Sequence, residues 1–302
     1  MARETYTVPI VGDRPEVNIE AVVFATDFST CSENAGNYAR LLANHFSARL
    51  LVTHAFLLTQ AAMEVEMGRH KLSRQREDLE AQLVRRAHVL SSADRTAEPV
   101  LLEGNPHQVI PALAEKHAPA LIVLGTHGAG IVEHELIGSV AEKILRSTRW
   151  PCLTVGPQTP TTSATTLPFR RILYATDLTP AAARAAVYAL TFAEAATCDL
   201  DVLNVIPENS PEEPFRAADL EMHYKHALDQ LVPQRVSEFC NPRTFVKTGR
   251  AYDRIIGHIE ENKIDLLVLG IRKTSYLGLE MRTSGAFRLI ADAPCPVLTI
   301  TG

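Results

Sequence analysis

The chain repeats itself. "VVFATDFS" at Val22–Ser29 returns as "ILYATDLT" at Ile172–Thr179, and Asp27 and Asp177 stand 150 residues apart. "LIVLG" at Leu121–Gly125 returns as "LLVLG" at Leu266–Gly270, now 145 residues on, and the pairs Gly104/Gly249 and Pro151/Pro296 keep that second spacing. Blocks that match in the same order along both halves mark a duplication, so the two halves must share one fold. The change in spacing puts a length difference between the second and third strands of the repeat. Between the halves, "GPQTPTTSATTLP" is rich in Pro and Thr and has no hydrophobic period, which makes it a linker. The organisation reads as a first domain over residues 1–157 (with 1–17 a tail), a linker over 158–168 and a second domain over 169–302.

Each half alternates strand-length apolar runs with longer segments of helical spacing. In the first half the strands are "IEAVVFAT", "RLLVTHAF", "AEPVLLEG", "ALIVLGT" and "PCLTVG". Helices fall over Ala35–His45, over Leu72–Leu90, over "NPHQVIPALAEKHA" with Pro111 early in it or kinking it, and over "GSVAEKILRS". In the second half the helices are predicted over Pro180–Ala196, Ala217–Phe239, Tyr252–Asn262 and Ser284–Ala291. Strands of near-continuous Val, Ile and Leu are buried on both faces, and strand–helix alternation then gives an α/β fold: two tandem, doubly wound, five-stranded parallel sheets of Rossmann-like type. Such sheets bind ligands beyond the carboxyl ends of their strands. That singles out Asp27 after the first strand, Ala55 in the second and Gly125 after the fourth.

Composition narrows the function. The chain has 302 residues and a net charge of -5, which argues against a nucleic-acid binder held by phosphate contacts. No apolar run reaches the length of a membrane span, and the first residues lack the apolar core of a secretory signal. The five cysteines form no CxxC pair and read as free, mostly buried thiols in a reducing cytoplasm. There is no HExxH, no zinc spacing and no nucleophile elbow, and "HEL" at His134 lacks a partner histidine. His107 and His117 read as exposed polar positions, and Met63 and Met67 as packing residues of the second helix or its leading loop.

The loop after the fourth strand carries the chemistry. "GTHGAGIVEHELIGS" has the spacing G-x2-G-x9-G-S, from Gly125 through Gly128 to Gly138 and Ser139. A helix N-terminus offers unpaired N–H groups and a partial positive charge, and glycine lets an anion approach them. Ser139 adds a hydroxyl donor. Asp27 has two readings: an Asx-turn that caps the next helix, or a ligand to a ribose hydroxyl or a cation. His127 is either a phosphate neighbour or a solvated side chain.

These features resemble the universal stress protein family, as a tandem member. The likeness rests on "ATDFS", the G-x2-G-x9-G-S segment, "GSVAEKILR" and the terminal "PCPVLTI". It implies an ATP site in the first half, with magnesium carried by the phosphates. Asp27 would lie in the nucleotide site, the backbone around Ala55 would meet the adenine, and Gly125, Gly128, Gly138 and Ser139 would hold ribose and phosphates, with Val140 lining the end. It further implies that the last strands pair across a dimer, here within one chain as a pseudo-dimer, with homo-oligomers built from it. The second half departs from the pattern: Lys273 stands for Gly128 and Thr283 for Gly138, while Gly270, Ser284, Asp177 and Val205 keep their places. Thr283 is β-branched and poorly suited to a left-handed backbone, so this half is expected to bind ATP weakly or not at all. Arg272 and Lys273 are either a solvated pair or a site for a smaller anion. The function that follows is a cytoplasmic, nucleotide-dependent regulator in stress response, with one competent ATP site. Slow ATP hydrolysis and a nucleotide-free interaction module are the alternatives.

Overall fold

A computed structural model describes residues 17–57, 66–128, 137–208, 217–271 and 285–301, without side chains at 66–72, 180–181, 217–218 and 235. The chain divides into two compact units. One spans Asn18–Pro157 with Thr161–Leu167, and the other runs on from Pro168. The linker forms no helix or strand; Arg40 donates to the carbonyl of Ala164 at 3.0 Å and so holds it to the first unit. Met63, His134, Arg272, Lys273, Thr283 and Ser284 lie outside the described residues, as does the side chain of Met67.

The first unit runs β1 (Ala21–Ala25), α1 (Thr30–His45), β2 (Arg49–Phe56), α2 (Glu66–Leu90), β3 (Glu98–Glu103), α3 (Pro106–Lys116), β4 (Ala120–Gly125), α4 (Ser139–Ser147) and β5 (Cys152–Val155). Its strands are parallel, in the order β3-β2-β1-β4-β5. Val22, Val23 and Phe24 of β1 and Leu121, Ile122 and Val123 of β4 are all fully buried, as a strand covered on both faces requires. Helices α1 and α2 pack together on one side, and α3 and α4 on the other. On α2 the buried side chains are Leu83, Ala87 and Leu90, one stripe of an otherwise charged helix. Pro111 lies inside α3 and leaves the carbonyl of His107 without its helical donor; the Ser147 hydroxyl stands 3.4 Å from that oxygen.

The second unit repeats this plan with β6 (Arg171–Ala175), α5 (Pro180–Ala196), β7 (Asp199–Ile206), α6 (Ala217–Leu231), β8 (Pro242–Thr248), α7 (Ala251–Asn262), β9 (Leu266–Ile271), α8 (Gly285–Asp292) and β10 (Val297–Thr301). Its parallel order is β10-β9-β6-β7-β8. The helix predicted to reach Phe239 ends at Leu231, because Pro233 cannot continue it, and a 3-10 turn over Gln234–Glu238 follows. All five cysteines are free. Burial pushes the Cys198 and Cys295 thiols up to about 12 and Cys240 up to about 11, so these three remain protonated and unreactive at neutral pH.

One buried difference between the units is charged. In β2, Leu51 pairs in register with Glu98 of β3; at the matching place in β7, Asp201 pairs with Arg243 of β8. Asp201 is fully buried, accepts from Arg243 Nε and Nη2 at 2.9 Å, and lies 2.8 Å from His258 Nε2. His258 Nδ1 is buried with no partner among the described residues, and the Nε2–H donates to the carboxylate. Asp201→Ala removes the acceptor from both partners and should cost about 3 kcal/mol or more. Asp201→Leu combined with His258→Leu restores the apolar type of contact that Leu51 makes and should cost less than Asp201→Leu alone. A urea-denaturation cycle over these variants measures the difference.

Candidate functional site

The strand order reverses beside β1: β2 lies on one side and β4, reached after β3, on the other. The crevice beyond the carboxyl ends of β1 and β4 is therefore where a site belongs. A cavity of about 390 Å³ opens there. Its walls include Asp27, Ala55, Gly125, His127, Gly128, Gly138, Ser139 and Val140, which are all eight residues singled out from the sequence. They come from the ends of three strands and the start of α4. The volume lies within the usual range for small-molecule sites.

Asp27 is the joint between β1 and α1. Its Oδ1 accepts from the Ser29 N–H at 3.0 Å and from the Ser29 hydroxyl at 2.5 Å. Ser29 in turn caps α1 by accepting from Ser32 N at 3.2 Å. The turn is tight enough to hold Phe28 at φ 62, a left-handed backbone that few non-glycine residues adopt. Asp27 thus makes the Asx-turn, and the same carboxylate also meets the cavity: a Cβ added at Gly128 would come within 2.6 Å of Asp27 Oδ2. The second unit copies the turn. Asp177 Oδ1 accepts from Thr179 N at 3.1 Å and from its hydroxyl at 2.6 Å, with Leu178 at φ 60.

The three loop glycines do different things. Gly125 packs against the first turn of α1, where an added Cβ would lie 3.1 Å from Cys31 Sγ and 3.2 Å from Ser32 N. Its lack of a side chain serves helix–sheet contact, and the residue also lines the cavity. Gly128 is exposed and faces Asp27. Gly138 is the N-cap of α4 at φ -60, ψ 139, with no side-chain cap. It is extended, so the left-handed backbone expected at this point of the repeat is not seen at Gly138, and Thr283 lies outside the described residues. Gly138 N donates to Thr126 O at 2.8 Å, which closes the base of the loop. Ser139 and Val140 then expose the first turn of α4 to the cavity, where its N–H groups and dipole favour a negative charge. His127 is half-buried, with Nδ1 2.8 Å from the Thr126 hydroxyl.

The sequence reading passed over His54, Thr26 and Ser32, which supply polar wall, and Pro106, Ile110 and Ile144, which supply apolar wall. Thr26 and Ser32 share a hydroxyl–hydroxyl hydrogen bond at 3.0 Å, and both are buried. His54 could have been noticed: it is a polar interruption in an apolar strand, and Asn204 interrupts β7 at the matching place.

The glycine geometry makes a direct prediction. Gly125→Ala forces the start of α1 off the sheet and should destabilise by about 1–3 kcal/mol. Gly138→Ala needs no backbone change and should cost less than about 1 kcal/mol. Urea titration of both variants reads the contrast.

The model of the Universal stress protein family matches residues 18–156 and again 168–301. A universal stress protein of Thermus aquaticus, encoded in the QAH/OAS sulfhydrylase 3' region, is 29% identical over 136 residues, which is 45% of this chain and 98% of that protein. Universal stress protein MJ0531 of Methanocaldococcus jannaschii is 44% identical over 55 residues, 18% of this chain and 32% of that protein. Among solved structures, a universal stress protein from Archaeoglobus fulgidus DSM 4304 aligns over 94% of this chain and 99% of its own at a TM-score of 0.69 and 20% identity, a likeness of fold. No described helix is long and apolar enough to cross a membrane. With two matches in tandem over both α/β units, the chain belongs to the universal stress protein family.

Proposed function

We propose that the first unit binds an adenine nucleotide, ATP with its magnesium, and that the protein acts as a nucleotide-dependent regulator in stress response. One observation carries this reading: residues chosen from four separate stretches of sequence line one cavity that ends on an open helix N-terminus. Ser139 and the first-turn N–H groups of α4 suit a phosphate. The apolar wall of Ile110 and Ile144 suits a base, and Asp27 suits a ribose hydroxyl. Magnesium offsets the phosphates' charge beside that carboxylate. Occupancy would bridge α4 to the β1 turn and so alter the surface that a partner meets.

A single competent site follows from position 128. Its Cβ direction points at a carboxylate that the Asx-turn holds in place, so a long side chain there enters the space between Asp27 and α4. The second unit carries Lys273 at the matching position in sequence.

Nucleotide released on denaturing the protein, or a titration with ATP and magnesium, should give about one site per chain. Gly128→Lys should weaken it by about tenfold or more, which is about 1.4 kcal/mol. Asp27→Asn is the proper carboxylate variant, because it keeps the Oδ1 acceptor on which the cap of α1 depends. Two sites per chain would overturn the asymmetry, and a flat titration at millimolar ATP would overturn the nucleotide reading.

A further inference from the structure

His54 lies on β2 and lines the cavity. Its Nδ1 is 2.8 Å from the carbonyl oxygen of Thr26. A carbonyl can only accept, so Nδ1 carries the hydrogen, and the neutral ring presents Nε2 as an acceptor. Nε2 has no partner among the described residues, nor is it one of the buried unpaired atoms, so it opens to the space that the ring lines. The ring is held from a second direction by Phe28, with centroids 4.7 Å apart and planes inclined at 32°. Phe28 is itself fixed by the left-handed turn between Asp27 and Ser29. An imidazole pinned at one nitrogen and braced on its ring is a preorganised acceptor.

The second unit repeats the arrangement with different chemistry. Asn204 Nδ2 donates to Thr176 O at 2.9 Å, and its Oδ1 is buried without a partner among the described residues. In both units, then, the side chain at this point of the second strand spends its donor on the exit of the first strand and keeps an acceptor in hand. The tether is shared; the acceptor's reach is not, since imidazole extends further than a carboxamide.

We propose that His54 Nε2 reads the nucleotide base, accepting a hydrogen bond from the exocyclic amine of adenine, and so makes the first-unit site select 6-aminopurines. This rests on the nucleotide reading above. A 6-oxopurine sets an acceptor against Nε2, and a purine without a 6-substituent leaves Nε2 unpaired in a covered site; both are disfavoured.

The test is titration calorimetry with ATP, ITP and purine riboside triphosphate, which lacks only the amine, on the wild-type protein, His54→Phe and His54→Asn. The wild type should prefer ATP to both analogues by about tenfold or more. In His54→Phe the ATP to purine riboside triphosphate ratio should fall to within about twofold of unity. His54→Asn keeps the tether, as Asn204 does, and should lose the ratio through its shorter reach. Each ratio compares ligands on the same protein, so a loss of folded fraction cancels. A wild-type ratio near one overturns the role of His54, and a ratio that survives in His54→Phe overturns it and assigns the amine to the main chain around Ala55. If the wild type binds none of the three, the nucleotide reading itself fails, and this inference with it.

Discussion

The fold and the cavity both hang on the turn that follows the first strand. Asp27 Oδ1 gathers the backbone and hydroxyl of Ser29, Ser29 caps α1, and the chain passes through a left-handed residue to do so. Without that turn α1 would not start where Gly125 packs against it. The turn also lets one carboxylate serve two ends, with Oδ1 in the cap and Oδ2 toward Gly128. Asp27 is therefore a poor place to separate folding from binding by simple deletion, since the cap and the cavity wall would be lost together.

A second constraint ties the neighbouring strand to that turn. Thr26 N donates to Thr53 O at 2.9 Å, and the Thr26 carbonyl takes the donor of His54. Thr176 does the same with Leu203 and Asn204 in the second unit. The residue after strand one is thus satisfied on both its backbone polar groups just as the sheet ends, where a buried backbone group left unpaired would cost about 1–3 kcal/mol. His54 and Asn204 are polar inside apolar strands for this reason.

Much of this was legible in the sequence. Apolar runs fixed the strand cores, and β2 appears with the very bounds read for it. Helix ends were less legible, since caps depend on geometry: α1 begins at Thr30 rather than Ala35 because Ser29 caps it. The site was readable as a set of positions but not as a set of roles. Spacing alone could not say that Gly125 is small for the sake of Cys31, or that Gly138 is extended. Nor could it find the Asp201–Arg243–His258 cluster, whose members come from two strands and a helix and meet only in the folded unit.

The duplication sorts these roles better than either unit does by itself. Gly104 and Gly249 have φ of 129 and 140, a backbone that side chains avoid, and both units keep the glycine. Gly125 packs on α1, and the second unit keeps it as Gly270. The Asx-turn and the strand-exit tether are kept in both units as well. What the fold needs is therefore present twice. Gly128 and Gly138 are present once: a Cβ at Gly128 would come within 2.6 Å of Asp27 Oδ2, and Gly138 takes a φ of -60 that any residue can adopt. What sets the first unit apart in sequence is thus the pair of glycines between a carboxylate and a helix N-terminus.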